Sequence, residues 1–305
     1  MAKEYTKQHI VPQSYLDNFG TKEKKPKLAV RRVFYTNKID FQIQATKEVG
    51  YIKNYYSIES DEDYAFYEKL ISRSIEYPMN DLLKRIITNS TMMQEGAEIL
   101  NDEIVKDLAK YISFQSLRVP AFYGEQLRKG SSIIRKTKQE MLKALYFYPE
   151  YIKRNIKSIN FRKDDYKRIL LDRITSEEVL SLLAKHLAES HKWFAYINKE
   201  ADIMPFITSD NPVVISNIIS GKIGIENGLA NNDTAIIFPV SPRVMIQAIP
   251  KKVFNNNQLR NTIVLDQKET KFIVECNILQ ERQRYRETYY PVWFYQDIVI
   301  NKEVA

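Results

Sequence analysis

The 305-residue chain has little cysteine, histidine or glycine, and no long apolar run. Its single cysteine, Cys276, excludes an internal disulfide and a cysteine-rich metal site, as is typical of proteins from a reducing cytoplasm. No segment approaches the roughly 18 apolar residues that a membrane span needs, and the N-terminal charges are not followed by the apolar stretch of a secretory signal. We therefore expect a cytoplasmic protein that does not bind membranes, with Cys276 as a core residue on a helix.

The composition is that of a packed protein with excess positive charge. Hydrophobic residues make up 44% and aromatic residues 12% of the chain, which argues against disorder. The net charge of +8 suits nucleic acid or another anionic ligand, although a lysine-rich composition from A+T-rich coding would produce it as well. The densest basic stretch, Arg128 to Lys143 followed by Lys153 to Lys157, is either a nucleic-acid surface or a solvated helix face.

The periodicity predicts strands, then helices, then strands again. Residues 27–58 are β-rich, helical spacing dominates about 61–191, and short β-branched runs follow from Trp193 to Ile249. A helix near 267–285 and a closing strand near 297–300 complete the pattern. The absence of βαβ alternation favours an α+β fold with an antiparallel or mixed C-terminal sheet. We expect one domain over residues 1–305.

Several local signals mark the ends of helices. The segment from Gln8 to Phe19 is expected to form one or two helical turns. Pro78 is expected to end or kink the helix that begins after Asp61. Val119-Pro120 is expected to end or kink the next helix after about Arg118. Thr175 and Glu178 have the spacing of a capping box, with Thr175 as the cap.

The helix over 104–118 carries two polar residues on its apolar face. Helical spacing places Gln115 and Arg118 on the stripe that also holds Leu108 and Tyr111. A buried guanidinium needs partners, because an unpaired buried charge is very costly. Arg118 is then either a structural anchor or a clamp for a phosphate or carboxylate. Its candidate partners on the preceding helix are Glu68 and Glu76.

A second polar group lies at Thr208-Ser209-Asp210-Asn211-Pro212, between two apolar runs. Asp and Asn before Pro favour a tight turn, so an inter-strand turn is one interpretation. The other is that Asp210, at the end of a buried strand, serves as a metal ligand or a general base. The sequence has no HExxH, CxxC, GxSxG, P-loop or GxGxxG pattern.

Gln8-His9-Ile10-Val11-Pro12 is similar to the histidine strand of HNH-type nucleases. In those enzymes the histidine acts as a general base beside a metal. The similarity covers about five residues, and the second histidine expected downstream is missing, because the next histidine is His186. The pattern therefore does not predict an HNH fold.

The motifs together resemble the bacterial Domain of Unknown Function 4238 family. The resemblance rests on Gln8-His9-x-Val11-Pro12-x-x-Tyr15-Leu16-x-x-Phe19, the Glu68/Glu76 helix, Phe114-Gln115-x-x-Arg118-x-Pro120, Phe206 to Val213, and Phe238-Pro239-Val240-Ser241-Pro242. It spans about residues 7–285. It implies no activity, but it selects His9, Glu76, Gln115, Arg118, Asp210 and Asn211 as a scattered polar set.

Two functional hypotheses follow. In the first, the polar set forms a cleft that hydrolyses a phosphodiester or another anionic substrate, as in a toxin or a phage-defence nuclease. His9 would be the general acid or base and Arg118 would stabilise negative charge. Asp210 and Glu76 would position a water or a divalent metal. Gln8, Gln115 and Asn211 would bind the substrate. In the second, the polar residues form a structural network in a non-catalytic module that binds nucleic acid or a protein.

Overall fold

A computed structural model describes residues 7–34, 36, 38–59, 61, 63–92, 99–144, 163–224, 227–229, 231–254 and 261–294. At residue 163 and at most positions of 131–144, only the backbone is described. The predicted closing strand near 297–300 and the basic residues Lys153 to Lys157 lie outside this part of the chain.

The described strands form three sheets. A small antiparallel sheet pairs β1 (Lys7–His9) with β4 (Tyr51–Lys53). A four-stranded sheet contains β2 (Lys27–Val33), β3 (Ile39–Ala45), β6 (Thr208–Ser209) and β11 (Glu287–Tyr290) in the order β3-β2-β11-β6. A five-stranded sheet contains β5 (His191–Asn198), β7 (Val214–Asn217), β8 (Thr234–Ser241), β9 (Val244–Pro250) and β10 (Thr262–Leu265) in the order β10-β5-β9-β8-β7.

Along the sequence, most of the helices lie between β4 and β5. They are α1 (Gln13–Leu16), α2 (Phe66–Ile71), α3 (Tyr77–Met92), α4 (Asp102–Arg118), α5 (Tyr123–Ala144), α6 (Lys163–Thr175), α7 (Glu177–Ser190) and α8 (Thr270–Gln283). None of the described helices is long and apolar enough to cross a membrane. The predicted α+β fold is confirmed, and its C-terminal sheet is mixed because β5 pairs with β10 in parallel and with β9 in antiparallel orientation.

Helix α4 is central to the packing. The Asn101 side chain caps its N-terminus by accepting from the backbone N–H of Ile104 at 2.9 Å. In the C-terminal half of α4, most side chains from Leu108 to Arg118 are buried on all sides of the helix. This half packs against α7 and α3. Val119-Pro120 then ends the helix as predicted, because the residue before a proline avoids the α conformation.

The helix that begins after Asp61 accommodates Pro78 by a π-helical turn. This turn, Ser72–Glu76, joins α2 to α3, and Pro78 is the second residue of α3. A proline inside a helix removes one hydrogen bond and clashes with the carbonyl four residues earlier, so the wider turn lies where the clash would fall. Glu76, the last residue of this turn, is thereby directed toward α4.

Some local expectations were wrong. Residues 7–9 form β1 and not a helical turn, because they pair with β4, and α1 begins only after Pro12. Ser176 caps α7 in place of Thr175, whose hydroxyl instead donates to the carbonyl of Leu171 at 2.7 Å. Helix α6 lies within the predicted helical region of about 61–191, although no separate helix was predicted there, and strands β10 and β11 were not predicted.

Buried apolar residues pack the helices against the five-stranded sheet. One hydrophobic cluster contains side chains from α1, α3, α4, α7, β5 and β8. A second contains Cys276 of α8 with Phe206, Met245 and Leu265. Cys276 is only 3% exposed, and burial raises the pKa of its thiol to about 12. Its predicted place in the core is confirmed.

Candidate functional site

Arg118 ends helix α4 with its side chain fully buried. One guanidinium nitrogen donates to the Glu76 carboxylate at 2.7 Å, and another donates to the main-chain carbonyl oxygen of His9. Burial alone would lower the pKa of Arg118, but the nearby Tyr56 and Glu76 raise it overall. Arg118 is therefore charged and forms an ion pair with the partly buried Glu76.

The segment around His9 is held against the core through its main chain. Gln115 Nε2 donates to the carbonyl oxygen of Ile10 at 2.8 Å. Gln8 Nε2 donates to Ser57 Oγ at 2.8 Å, and its Oε1 accepts from the backbone N–H of Tyr56 at 2.6 Å. The sequence analysis proposed that the side-chain amides of Gln8 and Gln115 bind substrate. In the structure both amides form hydrogen bonds to other residues of the protein.

The imidazole of His9 takes no part in the contact with Arg118. Its ring lies edge-on to Tyr51, with 6.1 Å between the ring centroids, and Nε2 is buried without a hydrogen-bond partner. Burial lowers the pKa of His9, although the charge of Glu76 opposes the shift. The surroundings of the ring therefore favour its neutral form.

A second carboxylate lies near the ion pair. Burial raises the pKa of Glu68 to about 7 despite the opposing charge of Arg118, and Glu76 adds to the shift. Other polar atoms of this region are buried without a partner, namely Arg118 Nε, Gln115 Oε1, Tyr111 Oη and Tyr123 Oη. Ordered water typically satisfies such groups.

Asp210 is bonded to the backbone that follows α8. Its carboxylate accepts from the N–H groups of Tyr285 at 2.8 Å, Arg286 at 2.7 Å and Glu287 at 3.0 Å. Burial and the charge of Glu287 raise the pKa of Asp210 to about 7, against the effect of those three donors. Asp210 therefore orders the turn between α8 and β11.

Asn211 continues the same arrangement. Its Nδ2 donates to the carbonyl of Gln283, the last residue of α8, at 3.0 Å, and its backbone N–H donates to Ser209 Oγ at 3.1 Å. The predicted inter-strand turn at 208–212 is present, and its polar side chains fasten the C-terminal end of α8.

The predicted polar set thus forms two groups. Gln8, the His9 carbonyl, Glu76, Gln115 and Arg118 form the N-terminal cluster, and Asp210 and Asn211 form the Asp210 cluster. The polar contacts of the Asp210 carboxylate are made with residues 285–287, and those of Arg118 with Glu76 and His9. The structure does not join His9, Arg118 and Asp210 in one hydrogen-bonded unit.

A groove of about 890 Å³ lies between the two clusters. One wall contains Ile10 and the segment from Glu48 to Ile52, which is bonded to the N-terminal cluster. The other wall contains Asp210 and the segment from Glu281 to Glu287, and Arg32 to Phe34 also line the groove. Its volume lies within the roughly 300–1,000 Å³ typical of ligand clefts.

The electrostatics of this groove favour an anion. Arg32 pairs with Glu287 at 2.5 Å and Arg284 pairs with Glu281 at 2.9 Å. Lys7 and Arg31, which lie outside the groove, also pair with its carboxylates Glu48 and Glu281. Counting these two, six cationic side chains lie in or beside the groove with its four carboxylates, and Arg282 and Arg286 are exposed.

Aromatic rings accompany the arginines. Tyr51, Phe34 and Tyr285 line the groove, and the last two are 41% and 40% exposed. The guanidinium of Arg286 lies over the ring of Tyr285, 4.8 Å from its centroid. The groove therefore offers both cations and flat apolar surfaces.

The sequence analysis missed these groove residues. It selected Arg128 to Lys143, where side chains such as Arg135, Lys138 and Lys143 lie outside the described residues. The available signal was the alternation Arg282-Gln-Arg284-Tyr-Arg286, which begins in the last turn of α8. In the part of the chain that the structure describes, no three His, Cys, Asp or Glu residues are grouped so that they could hold a metal ion.

Comparisons with known proteins agree with the motifs. A family model described as protein of unknown function (DUF4238) matches residues 7–290. No curated protein and no solved structure matches the chain.

Proposed function

The chain belongs to the family of proteins of unknown function DUF4238, and we propose that this member binds single-stranded nucleic acid in the groove between its two polar clusters. The observation that carries the proposal is the combination of exposed arginines with exposed aromatic rings in one groove. Proteins that bind single strands use positive grooves that follow the phosphates and aromatic side chains on which bases stack.

The motif residues support this role indirectly. Gln115 and Arg118 bond to the main chain at Ile10 and His9, which fixes one wall of the groove. Asp210 bonds to the main chain at 285–287, which fixes the other wall with Tyr285 and Arg286 on it. In this proposal the polar motif residues hold the walls of the groove in place, and the arginines contact the nucleic acid.

The residues expected to contact phosphates are the exposed arginines of the groove. Arg282 is exposed at the C-terminal part of α8, and Arg286 is exposed just beyond it. Each arginine that contacts a phosphate releases counterions, so affinity should fall steeply with salt. Stacking on Tyr285 or Phe34 would add a contribution that depends little on salt.

The test is fluorescence anisotropy with labelled single-stranded RNA and DNA of mixed sequence. We expect Arg282→Glu to weaken binding roughly tenfold or more and to reduce the slope of log K against log salt by about 0.7. Lys271→Glu is the matched control, because Lys271 belongs to the same helix, is 89% exposed and undergoes the same charge change outside the groove. Failure of the wild-type protein to bind either strand, or equal losses in both variants, would refute the proposal.

Hydrolysis of a phosphodiester is the second candidate function. It is favoured by the His9 ring, which packs edge-on to Tyr51 of the groove wall and whose Nε2 has no hydrogen-bond partner. His9→Ala is an informative variant, because Arg118 contacts the His9 carbonyl, which alanine retains. A nuclease would lose cleavage of labelled RNA or DNA in His9→Ala while its binding persists. Assays with Mg²⁺ and with a chelator would show whether the expected divalent metal is needed.

A further inference from the structure

Among the described strands, β3 is a terminal strand of the four-stranded sheet, and it carries an apolar stripe. Ile39, Phe41 and Ile43 share one face and are 46%, 41% and 48% exposed. Natural sheets protect terminal strands with lysine, proline, bulges or covering elements. Within β3 there is neither lysine nor proline, and its pairing with β2 is regular from Lys27↔Ala45 to Val33↔Ile39. The unpaired N–H and C=O groups of such a strand can form hydrogen bonds to a strand of another chain.

The pairing with β2 shows which backbone groups point outward. Phe34 N–H donates to the carbonyl of Lys38, and Thr46 N–H donates to the carbonyl of Pro26. Hydrogen-bonded and non-hydrogen-bonded pairs alternate in an antiparallel ladder, so residues 40, 42 and 44 bond to β2. The N–H and C=O groups of Ile39 and Ile43 are consequently directed to the open side of the strand.

On the opposite face of β3, the polar side chains form a directional chain of hydrogen bonds. Gln44 Nε2 donates to Gln42 Oε1 at 2.7 Å, and Gln42 Nε2 donates to Asp40 Oδ2 at 2.7 Å. One end of the strand therefore presents an amide donor and the other presents a carboxylate acceptor. An antiparallel second copy would place the amide of one Gln44 opposite the carboxylate of the other Asp40.

We propose that two copies of this chain pair antiparallel through β3, with a two-fold axis at Gln42, to give one continuous eight-stranded sheet. In this register Phe41 lies opposite Ile43 of the second copy, Ile39 opposite Ala45, and Asp40 opposite Gln44. No like charges face each other, and the outward backbone groups meet as hydrogen-bonded pairs. Cross-strand aromatic–aliphatic pairs such as Phe41 with Ile43 stabilise sheets. Two-fold pairing of identical strands is a closed arrangement, so it ends at the dimer.

Two paired seven-residue strands bury less accessible surface than the roughly 1,200 Å² that a permanent interface needs. The dimer should therefore be weak. We expect sedimentation velocity to show a monomer–dimer equilibrium in the roughly micromolar range, with a dimer of twice the 35.9 kDa chain mass. Phe41→Lys and Ile43→Lys should shift the protein to the monomer. Ile219→Lys, a change at a 75% exposed isoleucine near the end of β7, should leave the equilibrium unchanged.

Disulfide formation tests the register. Gln42→Cys places two thiols opposite each other at the axis, in a non-hydrogen-bonded pair with Cα atoms about 4.5 Å apart, which a disulfide can bridge. Under mild oxidation Gln42→Cys should form a covalent dimer, whereas Phe41→Cys should do so only when mixed with Ile43→Cys. Cys276 is buried and does not compete. A strictly monomeric wild type, or no faster cross-linking of Gln42→Cys than of Ile219→Cys, would overturn the proposal.

Discussion

The guanidinium of Arg118 donates to the main-chain carbonyl of His9 and not to its imidazole. The contact depends on the backbone, so any residue at position 9 that keeps β1 in place can make it. The arginine accordingly secures the N-terminal strand whether or not the histidine ring has a chemical role. Stability and activity can therefore be separated by substitution at these two positions.

Arg118→Met should strongly destabilise the protein. The change leaves the Glu76 carboxylate and the His9 carbonyl without their buried donor, and breaking one side of a buried ion pair costs about 3–5 kcal/mol. Urea unfolding followed by circular dichroism measures the loss. Arg128→Met, at a side chain that is 77% exposed, should change the free energy of unfolding by less than about 0.5 kcal/mol. Equal effects of the two changes would contradict a structural role for Arg118.

Gln115→Ala should loosen the N-terminal strand. It removes the donor to the Ile10 carbonyl, and leaving a buried acceptor unsatisfied costs about 1–3 kcal/mol. Hydrogen exchange should accelerate at the amides of Ile10 and Val11, which donate to the carbonyl of Gly50. Amides of β8, in the five-stranded sheet, should be less affected and serve as the internal reference. Uniform acceleration throughout the protein would argue against local loosening.

Asp210→Asn should disorder one wall of the groove. An amide oxygen can replace only part of a carboxylate that accepts three backbone N–H bonds, and its NH₂ group would face donors. We expect a loss of about 1–3 kcal/mol in unfolding free energy together with weaker binding of single strands. Asp202→Asn is the control, since that carboxylate is 81% exposed. Unchanged binding in Asp210→Asn would show that the turn at 285–287 does not contribute to the groove.

Glu68 should make the protein less stable as the pH rises. Folding raises the pKa of its carboxyl from 4.5 to about 7, so its contribution to stability is complete below about pH 4.5 and is lost as the pH rises through about 7. Glu68→Gln should therefore match the wild type near pH 4.5 and melt at a higher temperature near pH 8. Some pH dependence should remain in the variant, because Asp210 has a similarly raised pKa. A variant that is less stable than the wild type at pH 8 would contradict this assignment.

The sequence was informative where a pattern is local. The stripe of α4 and the burial of Gln115 and Arg118 follow from helical spacing, and the end of α4 follows from Pro120; all three are confirmed. The choice of Glu76 as the partner of Arg118 depended on the π-helical turn before Pro78, which no simple periodicity predicts. Similarly, β11 is only four residues long and is defined by its neighbours β2 and β6.

The groove could not be read from the sequence for the same reason. Its walls come from segments near residues 10, 32–34, 48–52, 210 and 281–287, which only the sheet pairings bring together. Arg282, Arg284 and Arg286 resemble ordinary surface residues until α8 ends at Gln283 and the chain turns into β11. The enzymatic hypothesis and the binding hypothesis both remain predictions, separated by the His9→Ala and Arg282→Glu assays.

The contacts of the N-terminal strand also determine when it can fold. Arg118 and Gln115 lie 109 and 105 residues beyond the carbonyls that they bind. At a synthesis rate of about 5–20 residues per second, that distance corresponds to roughly 5–20 seconds on the ribosome. During that interval the carbonyls of His9 and Ile10 are bonded to water. His9 and Ile10 thus join the fold only after α4 has emerged.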